Sequence, residues 1–127
     1  MATRILLVED DPNIAILLQY NLEAAGYAVE HVSRGDTAEQ RISELMPDLG
    51  LLDWILPGTS GIELCRRIRT RLRFDKLPII MMTARTDRAD RAYALKSGAD
   101  DFVTKPFALS DILSRARTLI ARAPSAA

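Results

Sequence analysis

The sequence predicts an α/β fold, a doubly wound parallel sheet of five strands with helices on both faces. Short apolar runs alternate along the chain with longer segments whose apolar residues recur at helical spacing. The apolar runs are near-continuous rather than alternating, as strands buried on both faces require. At 127 residues, 48% of them apolar and 27% charged, the chain suits one domain with a real core and a solvated surface.

The elements follow in order. Ile5–Val8 is a short buried strand. Asp11-Pro12 supplies an N-cap and an N1 proline. Ile14, Leu17, Leu18, Leu22 and Ala25 then recur at helical spacing, and Gly26 closes that helix. Tyr27–Val32 reads as the second strand. Ala38, Ile42 and Leu45 mark a second helix, stopped at Pro47. Leu49–Leu52 is the third strand and ends at Asp53. The turn-rich stretch Pro57-Gly58-Thr59-Ser60-Gly61 leads into a helix over Ile62–Arg71. Pro78–Met82 is the fourth strand, ending at Thr83. A helix over Asp87–Ser97 stops at Gly98. Asp101–Thr104 is the fifth strand, ending at Lys105-Pro106, and Leu109–Ala121 is the last helix. Residues 1–122 form the domain; 123–127 read as a tail or the start of a linker. No internal repeat or low-complexity segment interrupts this order.

Composition excludes several classes of function. Lys+Arg and Asp+Glu balance at 17 each, whereas a domain that grips nucleic acid by itself carries a basic excess. The single cysteine, Cys65, can form neither an internal disulfide nor a thiolate metal cluster, and it reads as a small core residue in a reducing compartment. His31, the only histidine, reads as a strand residue rather than a ligand. The N-terminal apolar run is far too short for a signal peptide or a membrane span, so the expected location is the cytoplasm.

In such sheets ligands sit at the carboxyl ends of the strands, where the strand order switches. Those ends carry Glu9-Asp10-Asp11, Asp53, Thr83-Ala84 and Lys105. Singly, each has an ordinary explanation: acids cap helices, threonine favours strand ends, lysine is solvated. Together at one edge they form a site. Clustered carboxylates raise one another's pKa, a hard divalent cation relieves the conflict, and an oxygen-only donor set suits Mg²⁺. Asp53 would then be an ionised nucleophile toward a phosphoryl group. Mg²⁺ and Lys105 would screen its charge, the Thr83 hydroxyl would donate to a phosphoryl oxygen, and the amides of Trp54 and Ala84 could donate to others.

The ordered set Val8-Glu9-Asp10-Asp11, Leu51-Leu52-Asp53-Trp54, Leu56-Pro57-Gly58, Met82-Thr83-Ala84-Arg85, Gly98-Ala99-Asp100-Asp101 and Lys105-Pro106-Phe107 resembles the receiver domains of bacterial response regulators, in particular the OmpR/PhoB subfamily. The resemblance covers residues 4 to 122. It implies a flavodoxin/CheY-like (βα)5 topology with strand order 2-1-3-4-5. It implies Asp53 as phosphoacceptor, and Asp10, Asp53 and the Ile55 carbonyl as Mg²⁺ ligands. Glu9 would hold a metal-bound water, and Lys105 would contact the phosphoryl group from a cis bond to Pro106. Thr83 and Phe102 would be the switch residues. A sensor histidine kinase, or a small acyl phosphate, would donate. A phosphorylation-dependent homodimer would form through the fourth helix, fifth strand and fifth helix, with Arg91 facing Asp111, Asp101 facing Arg115, and Asp100 facing Arg122. DNA would be reached only through a separate C-terminal winged-helix domain, and no membrane would be involved.

Five positions depart from the subfamily pattern. Phe102 replaces its usual tyrosine, which is expected to turn inward on activation. Gly50 interrupts a strand where a branched residue is expected. Ala108 stands where a capping serine is common. Lys96 and Arg117 place like charges where the subfamily often has opposite ones. An alternative output is a stand-alone phosphorelay shuttle or protein-binding switch. A phosphohydrolase with an aspartyl intermediate fits less well, because Asp53-Trp54-Ile55 lacks a second carboxylate two residues on to act as general acid. The chain is therefore expected to be a signalling regulator that catalyses its own phosphoryl transfer, not an enzyme acting on a separate substrate.

Overall fold

The structure, a computed structural model, describes residues 2–72, 74–84 and 88–122. Ten elements alternate: β1 (Arg4–Val8), α1 (Pro12–Ala24), β2 (Ala28–Val32), α2 (Gly35–Leu45), β3 (Leu49–Asp53), α3 (Gly61–Thr70), β4 (Ile79–Thr83), α4 (Arg88–Lys96), β5 (Asp101–Thr104) and α5 (Leu109–Arg122). All neighbouring strands pair in parallel, in the order β2-β1-β3-β4-β5. The order reverses between β1 and β3, so the crevice that such sheets offer a ligand opens where Glu9 and Asp53 leave the sheet.

The strands divide their side chains between two faces at a period of two. Leu6, Val8, Leu52, Ile79, Met81 and Phe102 pack under α2, α3 and α4, against Ala38, Ile42, Ile62, Cys65, Ile68 and Ala94. Ile5, Leu7, Leu49, Leu51, Ile80, Met82 and Val103 pack under α1 and α5, against Ala15, Leu18, Leu22, Ile112 and Ala116. β3 and β4 are buried along their whole length, including Asp53 and Thr83 at their carboxyl ends, as their largely apolar sequences anticipate. Burial pushes the Cys65 thiol up to about 11, in keeping with a core residue rather than a reactive one.

Local signals explain most boundaries. The Asp11 carboxylate accepts from the Asn13 and Ile14 amides and caps α1, with Pro12 at N1. Gly26, at φ +101°, turns the chain out of α1 at no steric cost. The Ser60 hydroxyl accepts from the Glu63 amide and caps α3. α2 stops before Pro47, through Met46 in a left-handed conformation. α5 starts at Leu109 with the Ala108 carbonyl taking its first bonds, so the missing serine does not move the boundary. Asp87, expected to open α4, and the tail 123–127 lie outside the described residues.

Two expectations about packing change. Leu17 is not a core position: the buried residues of α1 are Ala15, Leu18 and Leu22, while Ile16, Leu17 and Tyr20 face out. The core stripe follows 15-18-22, and the bulky residues beside it fall on the solvent side. Gly50 leaves little void, since a Cβ built there would sit 3.7 Å from Ile79 and 3.8 Å from Leu52, in ordinary contact.

Candidate functional site

Four strands, β1, β3, β4 and β5, deliver the site. Val8 pairs with Leu52, so the next residues, Glu9 and Asp53, emerge side by side. Asp53 pairs with Met82, which puts Thr83 one step beyond it on β4. Thr83 pairs with Thr104, and the Lys105 amide donates to the Thr83 carbonyl at 2.7 Å. The Lys105–Pro106 bond is cis, as the resemblance implied. α3 abuts β3 closely: the Gly61 amide donates to the Trp54 carbonyl at 2.8 Å, and a Cβ on Gly61 would lie 2.0 Å from the Asp53 carbonyl oxygen. Only glycine fits there.

The Lys105 ammonium lies between two carboxylates, donating to Glu9 Oε1 at 2.8 Å and to Asp53 Oδ2 at 3.0 Å. Glu9 is wholly buried and Asp53 is 7% exposed, while Asp10 faces solvent. Carboxylate oxygens of Glu9, Asp10 and Asp53 all lie within 4.8 Å of one another. Burial raises the Glu9 carboxyl above its ordinary range; the Lys105 and Asp11 hydrogen bonds only partly oppose this, and the Asp53 charge adds to it. Burial alone would lower Lys105, but its bonds to Glu9 and Asp53 prevail and raise it. The site is thus a carboxylate cluster with the Lys105 ammonium as a countercharge, closed on the sheet side and open at Asp10. Its oxygen-only donors fit a hard divalent cation such as Mg²⁺.

Thr83 is buried at the end of β4, and exposed Ala84 follows it at the same edge. Ile55 follows Trp54 on the β3–α3 loop with its side chain exposed. Arg85 lies outside the described residues. One expected donor is already engaged: the Trp54 amide donates to the Met82 carbonyl at 2.9 Å, extending the β3–β4 ladder by a residue, and it does not face a phosphoryl group. Phe102 differs too. It is 4% exposed and meets Trp54 edge-on at 6.5 Å, so it is already inside rather than waiting to turn inward. Without a hydroxyl it has nothing to hold it at the surface.

The charges expected to face one another across a dimer are largely paired within the chain. Arg115 donates to Asp101 at 2.6 Å and to Asp111 at 2.9 Å, and Arg69 holds Asp100 at 2.9 Å. Arg91 lines a cleft of about 340 Å³ together with Phe102, Asp111 and Arg115, and Arg122 ends α5 on the exposed side. Sequence reasoning missed the i,i+4 spacing of Asp111 and Arg115, which favours an intrachain pair. It also missed the Ser60-Gly61-Ile62-Glu63 capping box, a pattern visible in the sequence. The contact of Tyr93 with Trp54, 6.0 Å between ring centroids, and the bond between His31 and Glu9 are tertiary and carried no local signal.

No helix among the described residues is long and apolar enough to cross a membrane. Comparison with known proteins agrees with the geometry. Residues 5–117 match the family described as the response regulator receiver domain. The chain is 50% identical over 123 residues to the phosphate regulon transcriptional regulatory protein PhoB of Rhizobium meliloti (strain 1021), covering 97% of this chain and 54% of that protein. It is 38% identical over 122 residues to PhoB of Escherichia coli (strain K12), covering 96% and 53%. It therefore spans about half the length of these curated relatives. Among solved structures, the receiver domain of Francisella response regulator 1452 superposes with a TM-score of 0.90 at 28% identity, covering 94% of this chain and 98% of that one. The BeF3-activated N-terminal receiver domain of Klebsiella pneumoniae RstA does so with 0.87 at 33%, covering 94% and 100%. Both the family match and the carboxylate–lysine edge lead to one assignment: this chain belongs to the response-regulator receiver domains, and within them to the OmpR/PhoB subfamily.

Proposed function

We propose that Asp53 accepts a phosphoryl group from a sensor histidine kinase and that the phosphorylated domain controls a transcriptional output. The observation that carries this is the Lys105 ammonium bonded to both Asp53 and Glu9 beside an exposed Asp10. The Asp53 carboxylate is thereby held at a sheet edge with a cation already beside it. Glu9, Asp10, Asp53 and the Ile55 carbonyl would hold Mg²⁺, which would supply neutralising charge to the phosphoryl oxygens. An Asp53 oxygen forms the new P–O bond as the donor's P–N bond breaks, and the electron pair returns to the histidine nitrogen, which takes a proton from solvent. Lys105 meets the charge on the phosphoryl oxygens, and the Thr83 hydroxyl and Ala84 amide donate to them.

The donor has to dock near this edge. α1 begins at Pro12, capped by Asp11 beside the site, and exposes Ile16 (68%) and Tyr20 (72%) with Leu17 between them. This apolar strip starts about 6 Å along the helix from its capped end, within reach of a kinase helix that presents its histidine to Asp53. The likeness over half the length of two phosphate-regulon transcriptional regulators favours a regulatory half-protein whose DNA-binding part is separate.

The test is incorporation of phosphoryl from acetyl phosphate with and without Mg²⁺. Incorporation is expected to need Mg²⁺, to be acid-stable and base-labile, and to vanish in Asp53→Asn. Equal labelling of the mutant contradicts the reading.

A further inference from the structure

The Glu9-Asp10-Asp11 loop has to leave the sheet in one defined direction, and its backbone shows what holds it there. The last ladder pair of β1 and β2 is Val8 with Val32, and the Glu9 amide still donates to the Val32 carbonyl at 3.1 Å. β2 ends at Val32 and the chain passes to α2 at Gly35, and among the described residues no loop amide donates to the Glu9 carbonyl. The half-buried imidazole of His31 fills that place: its Nε2–H donates to the Glu9 carbonyl at 2.7 Å. The Glu9–Asp10 peptide is planar, so fixing its carbonyl fixes the plane from which the Asp10 backbone continues. The other anchors of the loop lie further out: Lys105 on the Glu9 carboxylate, the Asp11 amide on Glu9 Oε2 at 3.1 Å, and the Asp11 cap on α1.

We propose that His31 is a positioning residue for the acidic loop, aligning the Glu9–Asp10 peptide so that the carboxylates meet a divalent cation without rearrangement. The proposal rests on the reading of this edge as a Mg²⁺ site. His31 touches neither metal nor phosphoryl group; it acts on the ligands' backbone, as supporting hydrogen bonds do around metal centres. Bulk packing of a strand residue is the alternative, and the conservative variant separates the two. Glutamine can present an amide N–H where Nε2 stands; phenylalanine keeps the ring volume and the strand preference but has no donor.

The experiment titrates Mg²⁺ alone into the wild type, H31Q and H31F, followed by Trp54 emission and by calorimetry. Urea midpoints without Mg²⁺ report folding. H31F is expected to bind Mg²⁺ about fivefold or more weakly, and H31Q within about twofold of the wild type. Labelling by acetyl phosphate should fall in H31F at limiting Mg²⁺ and recover at saturating Mg²⁺, because the chemistry itself is untouched. H31M replaces H31F if the latter does not fold. Wild-type affinity in H31F, or an equal loss in H31Q and H31F, overturns the proposal. Absence of Mg²⁺ binding in the wild type overturns the metal reading itself, and this proposal with it.

Discussion

At the scale of single residues, the site is an electrostatic balance with Lys105 at its centre. Glu9 has no exposure, so its ionised form relies on Lys105 and, in the proposed function, on a metal ion. Removing the ammonium leaves the carboxylate cluster more negative and also deprives the phosphoryl oxygens of a partner. Lys105→Ala is therefore expected to bind Mg²⁺ several-fold more tightly while labelling from acetyl phosphate falls about tenfold or more. Mg²⁺ titration and labelling rates on the same preparation check this; a parallel loss of both would mean that Lys105 mainly shapes the loop. Gly50 makes a second residue-scale prediction. Its backbone is not left-handed and a Cβ meets only ordinary contacts, so Gly50→Ala adds buried methyl surface and reduces the freedom of the unfolded chain. A gain of about 1 kcal/mol is expected in urea unfolding, and a loss would contradict this reading of the Gly50 contacts. The charged positions were readable because chemistry fixed their types: acids, hydroxyl and lysine at strand ends. The state of Trp54 was not readable, because its amide is committed by the register of β3 on β4, which no local pattern encodes.

At the scale of elements, helix caps and strand ends were legible and side-chain facing was less so. Asp11-Pro12 announced α1, and Gly26 announced its end. The apolar residues of α1 were all visible, yet the choice between Leu17 and Ala15 for the core depends on which stripe the sheet accepts, and the smaller residue went inside. The consequence is the exposed strip of Ile16, Leu17 and Tyr20, which the proposed function uses as kinase-docking surface. Tyr20→Glu is expected to leave labelling by acetyl phosphate unchanged and to lower transfer from the histidine kinase about tenfold. An equal effect on both donors would point to a folding defect rather than docking. Phe102 was foreseen as a mobile aromatic on β5; the structure has it packed against Trp54, so activation does not need to bring it in from solvent.

At the scale of the whole molecule, β–α alternation with largely apolar strands made a parallel sheet legible, the family resemblance implied its strand order, and the site falls at the switch between β1 and β3. The assembly was less legible, because charge complementarity along a sequence does not say whether partners meet within or between chains. Asp101, Arg115, Asp111 and Asp100 already have intrachain partners, so a dimer through α4, β5 and α5 exchanges ion pairs instead of adding them. Each exposed pair contributes only about 0–1 kcal/mol, so the dissociation constant of a beryllofluoride-activated dimer is expected to change less than about threefold between low and moderate salt. Sedimentation at two ionic strengths checks this, and a steep salt dependence would restore the ion pairs as the main contributors. Asp53 is the residue on which the proposed chemistry depends. The direct measurement is reductive trapping of the acyl phosphate after incubation with acetyl phosphate and Mg²⁺, followed by peptide mapping. It should locate the single modified residue at Asp53 and find no modified peptide when Mg²⁺ is withheld. Modification at Asp10 or Glu9 in the wild type, or at Asp53 without Mg²⁺, would contradict the assignment of acceptor and metal ligands on which the account rests.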